Sequence, residues 1–330
     1  MTLEASITNA AGMCSVTALW MYVASNAMAH RRKLIDLIAK GSMLVCFVCL
    51  SAAIVARGIE AARFPIANLY ESLLLFAWGL LAAFLFLSQK AKLPQLGWVT
   101  ALAVTTVFLY SSWLPASQHE IQPLMPALVS YWRAIHVPPL IVSYAFLLLA
   151  GLLSMVQLWV SRKRWTCIFG ILALAVSLSC IYLGTISNAA AELVKTLFWV
   201  GTTGSCLLML LMSKKEGKVE FEPTDLSDSV DELAQKCVST AFPLLTFGII
   251  TGALWANHAW GAYWSWDPKE SMSLATWLSY AAYLHLRART NCSTCSLSTC
   301  AVLGLLLTIL TYLGFNFLGF GGLHSYGKLG

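Results

Sequence analysis

Apolar blocks of roughly 17–25 residues, each close to the length that crosses a bilayer core, recur along this chain with short charged segments between them. Lipid offers the backbone no hydrogen-bond partner, so each block must be a helix unless the strands close into a barrel. Ten spans are expected, near 11–29, 41–57, 71–88, 96–114, 137–160, 166–186, 192–212, 240–257, 272–288 and 298–318. Composition agrees: of 330 residues 58% are hydrophobic and only 11% charged, too little charge to cover a soluble domain of that length. The expected class is an all-α, polytopic integral membrane helical bundle, with residues 1–330 forming a single membrane domain.

The net charge of +6 sits largely in clusters between spans: His30-Arg31-Arg32-Lys33, Lys90 and Lys92, Arg162-Lys163-Arg164, Lys214-Lys215, and Arg287 with Arg289. Spacing of this kind reports membrane orientation and not a nucleic-acid surface. Taken as cytoplasmic, the clusters place 58–70, 115–136, 187–191, 258–271 and 319–330 on the outer side, with both termini outside as well. Arg57, Arg63 and Arg133 break the pattern by falling on that outer side. The first charge is Glu4, and basic residues follow the first apolar stretch, so no cleavable leader is expected. The polar stretch 214–236 reads as part of a cytoplasmic loop (213–239) with a short amphipathic helix near 226–236.

One outer segment is chemically unusual. Trp255-Ala256-Asn257-His258-Ala259-Trp260-Gly261-Ala262-Tyr263-Trp264-Ser265-Trp266-Asp267-Pro268-Lys269-Glu270 crowds tryptophan and tyrosine into one short connection. Such residues also gather at membrane interfaces without binding anything. Concentrated in a single loop, they equally suit a π-rich platform for a flat apolar ligand, edged by charges.

Three histidines lie near the same outer surface: His136 in Trp132-Arg133-Ala134-Ile135-His136-Val137-Pro138-Pro139, His258 within the aromatic segment, and His324 in Gly321-Gly322-Leu323-His324-Ser325-Tyr326-Gly327. Two imidazoles flanking an aromatic platform suit bis-His ligation of haem iron. His285, in Tyr283-Leu284-His285-Leu286-Arg287, falls in the inner half of a span, where an ionisable side chain marks either function or the headgroup boundary. His30 belongs to a basic cluster, and His119 beside Glu120 reads as a solvated loop residue. Most cysteines lie in apolar blocks, where a thiol behaves as a small hydrophobe. Cys46/Cys49 and Cys292/Cys295 have redox spacing, the first pair in an apolar span and the second on the cytoplasmic side.

The stretch from Trp260 to Glu270 resembles the tryptophan-rich "WWD" signature of haem-handling proteins. Within that group the chain is most similar to the CcsA/ResC type of cytochrome c biogenesis protein. Phe64-Pro65-Ile66-Ala67-Asn68-Leu69-Tyr70-Glu71-Ser72, Tyr131 to Val137 and Gly322 to Gly327 agree with it in order. The resemblance implies His136 and His324 as axial ligands of a transiently bound b-type haem. It implies Trp260, Tyr263, Trp264, Trp266 and Asp267 as the platform, and His285 as part of an inner-membrane haem site. It also implies a CcsB/ResB-type membrane subunit, apocytochrome c and a thioredoxin-like thiol reductant as partners, in a bacterial plasma membrane or a thylakoid. The implied function is haem binding and presentation for covalent thioether attachment, with this chain a component of a cytochrome c synthetase (haem lyase) complex. An exporter that only moves haem, or a membrane thiol-disulfide carrier, would be the alternatives. The chain departs from the pattern twice. An added helical hairpin (166–212) extends the eight-helix family core, and His258, as an additional candidate ligand, stands where similar sequences are expected to carry an acid.

Overall fold

A computed structural model describes residues 3–28, 32–88, 94–124, 128–160, 223–289 and 292–314. Among them the long regular elements are all helices: α1 (Leu3–Ala27), α2 (Arg32–Glu60), α3 (Leu69–Ser88), α4 (Pro94–Trp113), the single turn α5 (Ala116–His119), α6 (Trp132–Val160), α7 (Pro223–Trp260), α8 (Pro268–Ala288) and α9 (Thr294–Ile309), which runs into a π-turn at Leu310–Gly314. Seven of these helices are long and apolar enough to cross a membrane. They coincide with the first five and the last but two of the expected spans, and with the final one. The ninth expected span is α8, which has the length but carries Lys269, Glu270, His285 and Arg287 near its two ends. The expected hairpin 166–212 and the loop up to 222 lie outside the described residues.

Two differences from the expected boundaries have simple causes. The amphipathic helix expected near 226–236 is not separate but forms the first turns of α7. Val230, Leu233, Ala234, Cys237, Val238 and Ala241 are all buried, a 3–4 residue spacing that runs unbroken into the apolar stretch, so nothing stops the helix. At its other end α7 continues through Trp260, which shortens the aromatic connection to 261–267 and puts His258 on a helix.

α6 is the centre of the bundle, packing along α7 and against α9 and α3, while α1 pairs with α2 and α4. Specific bonds fix the register. Ser143 Oγ donates to the Ala241 carbonyl at 3.0 Å, and Trp277 Nε1 donates to Thr246 Oγ1 at 2.9 Å. The Thr276 and Thr311 hydroxyls meet at 3.0 Å, tying α8 to the π-turn. Antiparallel packing gathers the ends of α2, α4 and α7, the starts of α3, α6 and α8, and the π-turn at one end of the bundle.

At that end Arg57 and Arg63, two of the three basic residues that break the charge pattern, are absorbed by a carboxylate. Glu71, 1% exposed, accepts from Arg57 Nε at 3.0 Å and from Arg63 Nη1 at 2.9 Å. Glu4 lies 3.6 Å from Arg57 Nη1, and the His119 carbonyl accepts from that nitrogen at 2.9 Å. His119 is therefore not a solvated loop residue. It is half-buried with its ring 4.5 Å from Tyr70, and burial holds its imidazole below the usual histidine range.

Candidate functional site

The candidate side chains come from helix ends, the π-turn and the short loop between α7 and α8. The short link between α7 and α8 is built by local rules. Gly261, at φ +77°, ends α7 in the left-handed region that favours glycine, and its N–H reaches back to the Asn257 carbonyl at 2.9 Å. α8 then opens with a capping box. The Asp267 carboxylate accepts from Lys269 N at 2.9 Å, the Glu270 carboxylate accepts from Asp267 N at 3.2 Å, and Pro268 takes the first helical position. Glu270 also accepts from the Ser265 backbone N–H at 2.8 Å. The acidic end of the aromatic segment thus orders the loop. Trp266, held at φ +57° just before the cap, turns outward and is 70% exposed, with its ring edge-on to Trp264 at 5.9 Å.

Behind this loop lies a cavity of about 580 Å³, within the range of small-molecule and cofactor sites. His136 from α6, Gly252 and Trp255 from α7, Tyr263 and Trp264 from the loop, Lys269 and Glu270 from α8, and Thr311 and Tyr312 from the π-turn line it. Arg63, Asn68 and Ser72 close one side, and Arg133 another. The rings form a relay: His136 to Trp255 at 5.6 Å between centroids, and Trp255 to Trp260 at 6.1 Å.

The imidazole of His136 is oriented by α7. Its Nδ1 lies 2.7 Å from the Gly248 carbonyl. A carbonyl can only accept, so Nδ1 donates, and in the neutral ring the lone pair then lies on Nε2, a nitrogen able to ligate a metal. Close approach is possible because α7 has Gly252 there: a Cβ at that position would stand 2.5 Å from His136 Cε1. Among the described residues no three His, Cys, Asp or Glu side chains gather to hold a bare metal ion. A porphyrin brings four nitrogens of its own and asks the protein for only one or two ligands.

Of the residues singled out in the sequence, the structure brings His136, Tyr263 and Trp264 onto the cavity, with Trp260 one ring removed and Trp266 outside it. Asp267 is buried and serves the helix cap. His258 is exposed near Tyr131, at 6.4 Å between rings. His324 lies outside the described residues. His285 stands exposed at the other end of α8, seventeen residues and so about 25 Å from Pro268 along the axis. Of the thiols, Cys46 is buried and donates to the Ala11 carbonyl at 3.2 Å. Trp255 and Arg133 also line the cavity, although the sequence alone gave neither as a site residue; Lys269 and Glu270 on its wall are among the charges expected at the edge of the aromatic platform. The Asp267-x-x-Glu270 spacing with Pro268 was a legible helix-start signal.

A family model described as Cytochrome C assembly protein matches residues 66–323. The chain belongs to that family. It is 36% identical to the cytochrome c biogenesis protein CcsA of Synechococcus elongatus, over 99% of this chain and 98% of that one. It is also 36% identical to CcsA of Pyropia yezoensis, over 96% and 94%. Among solved structures, a cytochrome c haem lyase CcmF superposes with a TM-score of 0.52 at 16% identity. That match covers 96% of this chain and 49% of the other, and it supports the helical fold. The chain is therefore an integral membrane protein of cytochrome c biogenesis.

Proposed function

We propose that this chain binds haem in the cavity between α6, α7 and α8 and presents it to apocytochrome c for thioether attachment, together with a CcsB/ResB-type subunit. The observation that carries the reading is His136, held through Nδ1 by the Gly248 carbonyl on the wall of a cavity that Trp255, Tyr263 and Trp264 also line. His324 supplies the second axial position, and His258 is the spare ligand. Trp260, Tyr263, Trp264 and Trp266 make the apolar surface beside the macrocycle, and Asp267 holds that surface in place through the α8 cap.

Attachment adds each thiol S–H of a Cys-x-x-Cys-His peptide across a haem vinyl group, and needs no oxidant once the thiols are reduced. The protein's contribution is to position the substrate, exclude water with the aromatic wall and leave one edge open to the peptide. The cavity end faces the periplasm or thylakoid lumen, as the placing of the basic clusters between the spans of the sequence favours. His285, exposed on α8, contributes to an inner haem site that a histidine of the partner subunit completes.

The test is the absorption spectrum of the purified chain, with its partner, in wild type and in His136→Gly and His324→Gly. Both variants are expected to change the spectrum and abolish cytochrome c assembly, with imidazole restoring part of it. Apolar burial of the macrocycle, at ~25 cal/mol per Å², should let the variants retain some haem. An unaltered bis-His spectrum in both, with loss in His258→Gly, would assign the iron elsewhere. Modification of a cysteine at Ser265 only from the cytoplasmic side would reverse the orientation.

A further inference from the structure

Arg133 is the remaining basic residue that breaks the charge pattern, and no carboxylate among the described residues pairs with it. It is the second residue of α6, 6% exposed, and it lines the cavity. Its Nε and Nη1 have no hydrogen-bond partner among the described residues. The nearby acids are committed elsewhere. Glu71 is shared between Arg57 and Arg63, and the Glu270 carboxylate accepts from the amides of Ser265 and Asp267. A buried guanidinium without acceptors is unfavourable unless something arrives to satisfy it.

What arrives must be anionic and must enter the same cavity as the ring ligand. Arg133 and His136 are three residues apart on α6, so they share a helix face. We infer that Arg133 is the carboxylate-binding end of the cavity and takes a propionate of the haem whose iron His136 ligates. The planar guanidinium fork matches a carboxylate with two parallel N–H···O bonds. Lys269, also on the cavity wall, adds positive charge on the α8 side. Iron at His136 and propionate at Arg133 together fix the rotation of the macrocycle in its plane, which determines the edge turned toward the peptide. The inference rests on the haem reading above. The other anion able to meet this guanidinium is the phosphate of a lipid headgroup.

The experiment titrates the purified full chain with iron protoporphyrin and with its dimethyl ester, in which both propionates are blocked, and follows the Soret band. Wild type is expected to bind the free acid about 10–100-fold more tightly than the ester, the worth of hydrogen bonds to a charged group. In Arg133→Gln that ratio should fall toward one while ester affinity stays near wild type. Arg133→Lys, which keeps the charge and loses the fork, should fall between. A wild-type ratio near one overturns the inference without recourse to any variant. So does a ratio that Arg133→Gln leaves unchanged while the variant loses co-purifying phosphatidylglycerol, which would assign Arg133 to lipid. Binding of neither porphyrin by wild type would overturn the haem reading itself, whereas binding of both alike overturns only the role of Arg133.

Discussion

Two arginine sites at the same end of the bundle differ in one respect. Arg57 is 2% exposed and is answered by Glu71 and Glu4. Arg133 is 6% exposed and is answered, at Nε and Nη1, by nothing among the described residues. The first site is closed. Its acceptors come from α1, α3 and the His119 carbonyl of α5, so it locks chain segments far apart in sequence. The second borders a cavity and is open to a ligand. The contrast separates buried charge that holds the fold from buried charge that waits for a partner.

The largest effect should come from breaking the closed site. Glu71→Ala leaves two guanidinium groups without their shared carboxylate and should destabilise the chain by about 3–5 kcal/mol, read as lost monodisperse protein after heating in detergent. If stability is unchanged, the network is not what holds α2 to α3. Gly252→Ala should come next. The added methyl must displace the His136 ring, at a cost of about 1–3 kcal/mol, so haem retention should fall with little change in the arginine network. Normal haem loading there would show that the imidazole has room to move. The open site should respond in the opposite sense to the closed one. Without ligand, Arg133→Met removes an unsatisfied buried charge and should stabilise by about 1 kcal/mol, seen as a higher melting temperature of the haem-free protein. Destabilisation would mean Arg133 belongs with Arg57 as a structural residue. The smallest effect concerns His119, whose burial lowers its pKa. The unfolded chain then binds the proton more readily, so stability is present above the ordinary histidine pKa and is lost as pH falls through it. His119→Gln should flatten the melting temperature between pH 7 and 5; an unchanged slope would place the titrating group elsewhere.

The membrane helices were legible because lipid imposes one rule on every residue of a span: a long apolar run must be helical, whatever its neighbours. Their ends were less legible, because a helix continues until something stops it. The polar turns of α7 before residue 240 continue one buried stripe from Val230 to Ala241, and a hydropathy boundary does not see that stripe. His136 could be named among three candidate histidines by its position at the mouth of a span, but the partner of its Nδ1 could not. That partner is the Gly248 carbonyl, 112 residues away.

By itself the sequence determined the class of the molecule and the aromatic segment, since each rests on local composition and spacing, and it narrowed the candidate ligands to a few histidines on one side. It also held the sign of every charge, but not which charges are paired. That was decided only by tertiary structure: pairing depends on acceptors brought in by other helices, and Arg57 and Arg133 are the same residue type on the same side of the bundle until Glu71 comes within 3.0 Å of one and not the other.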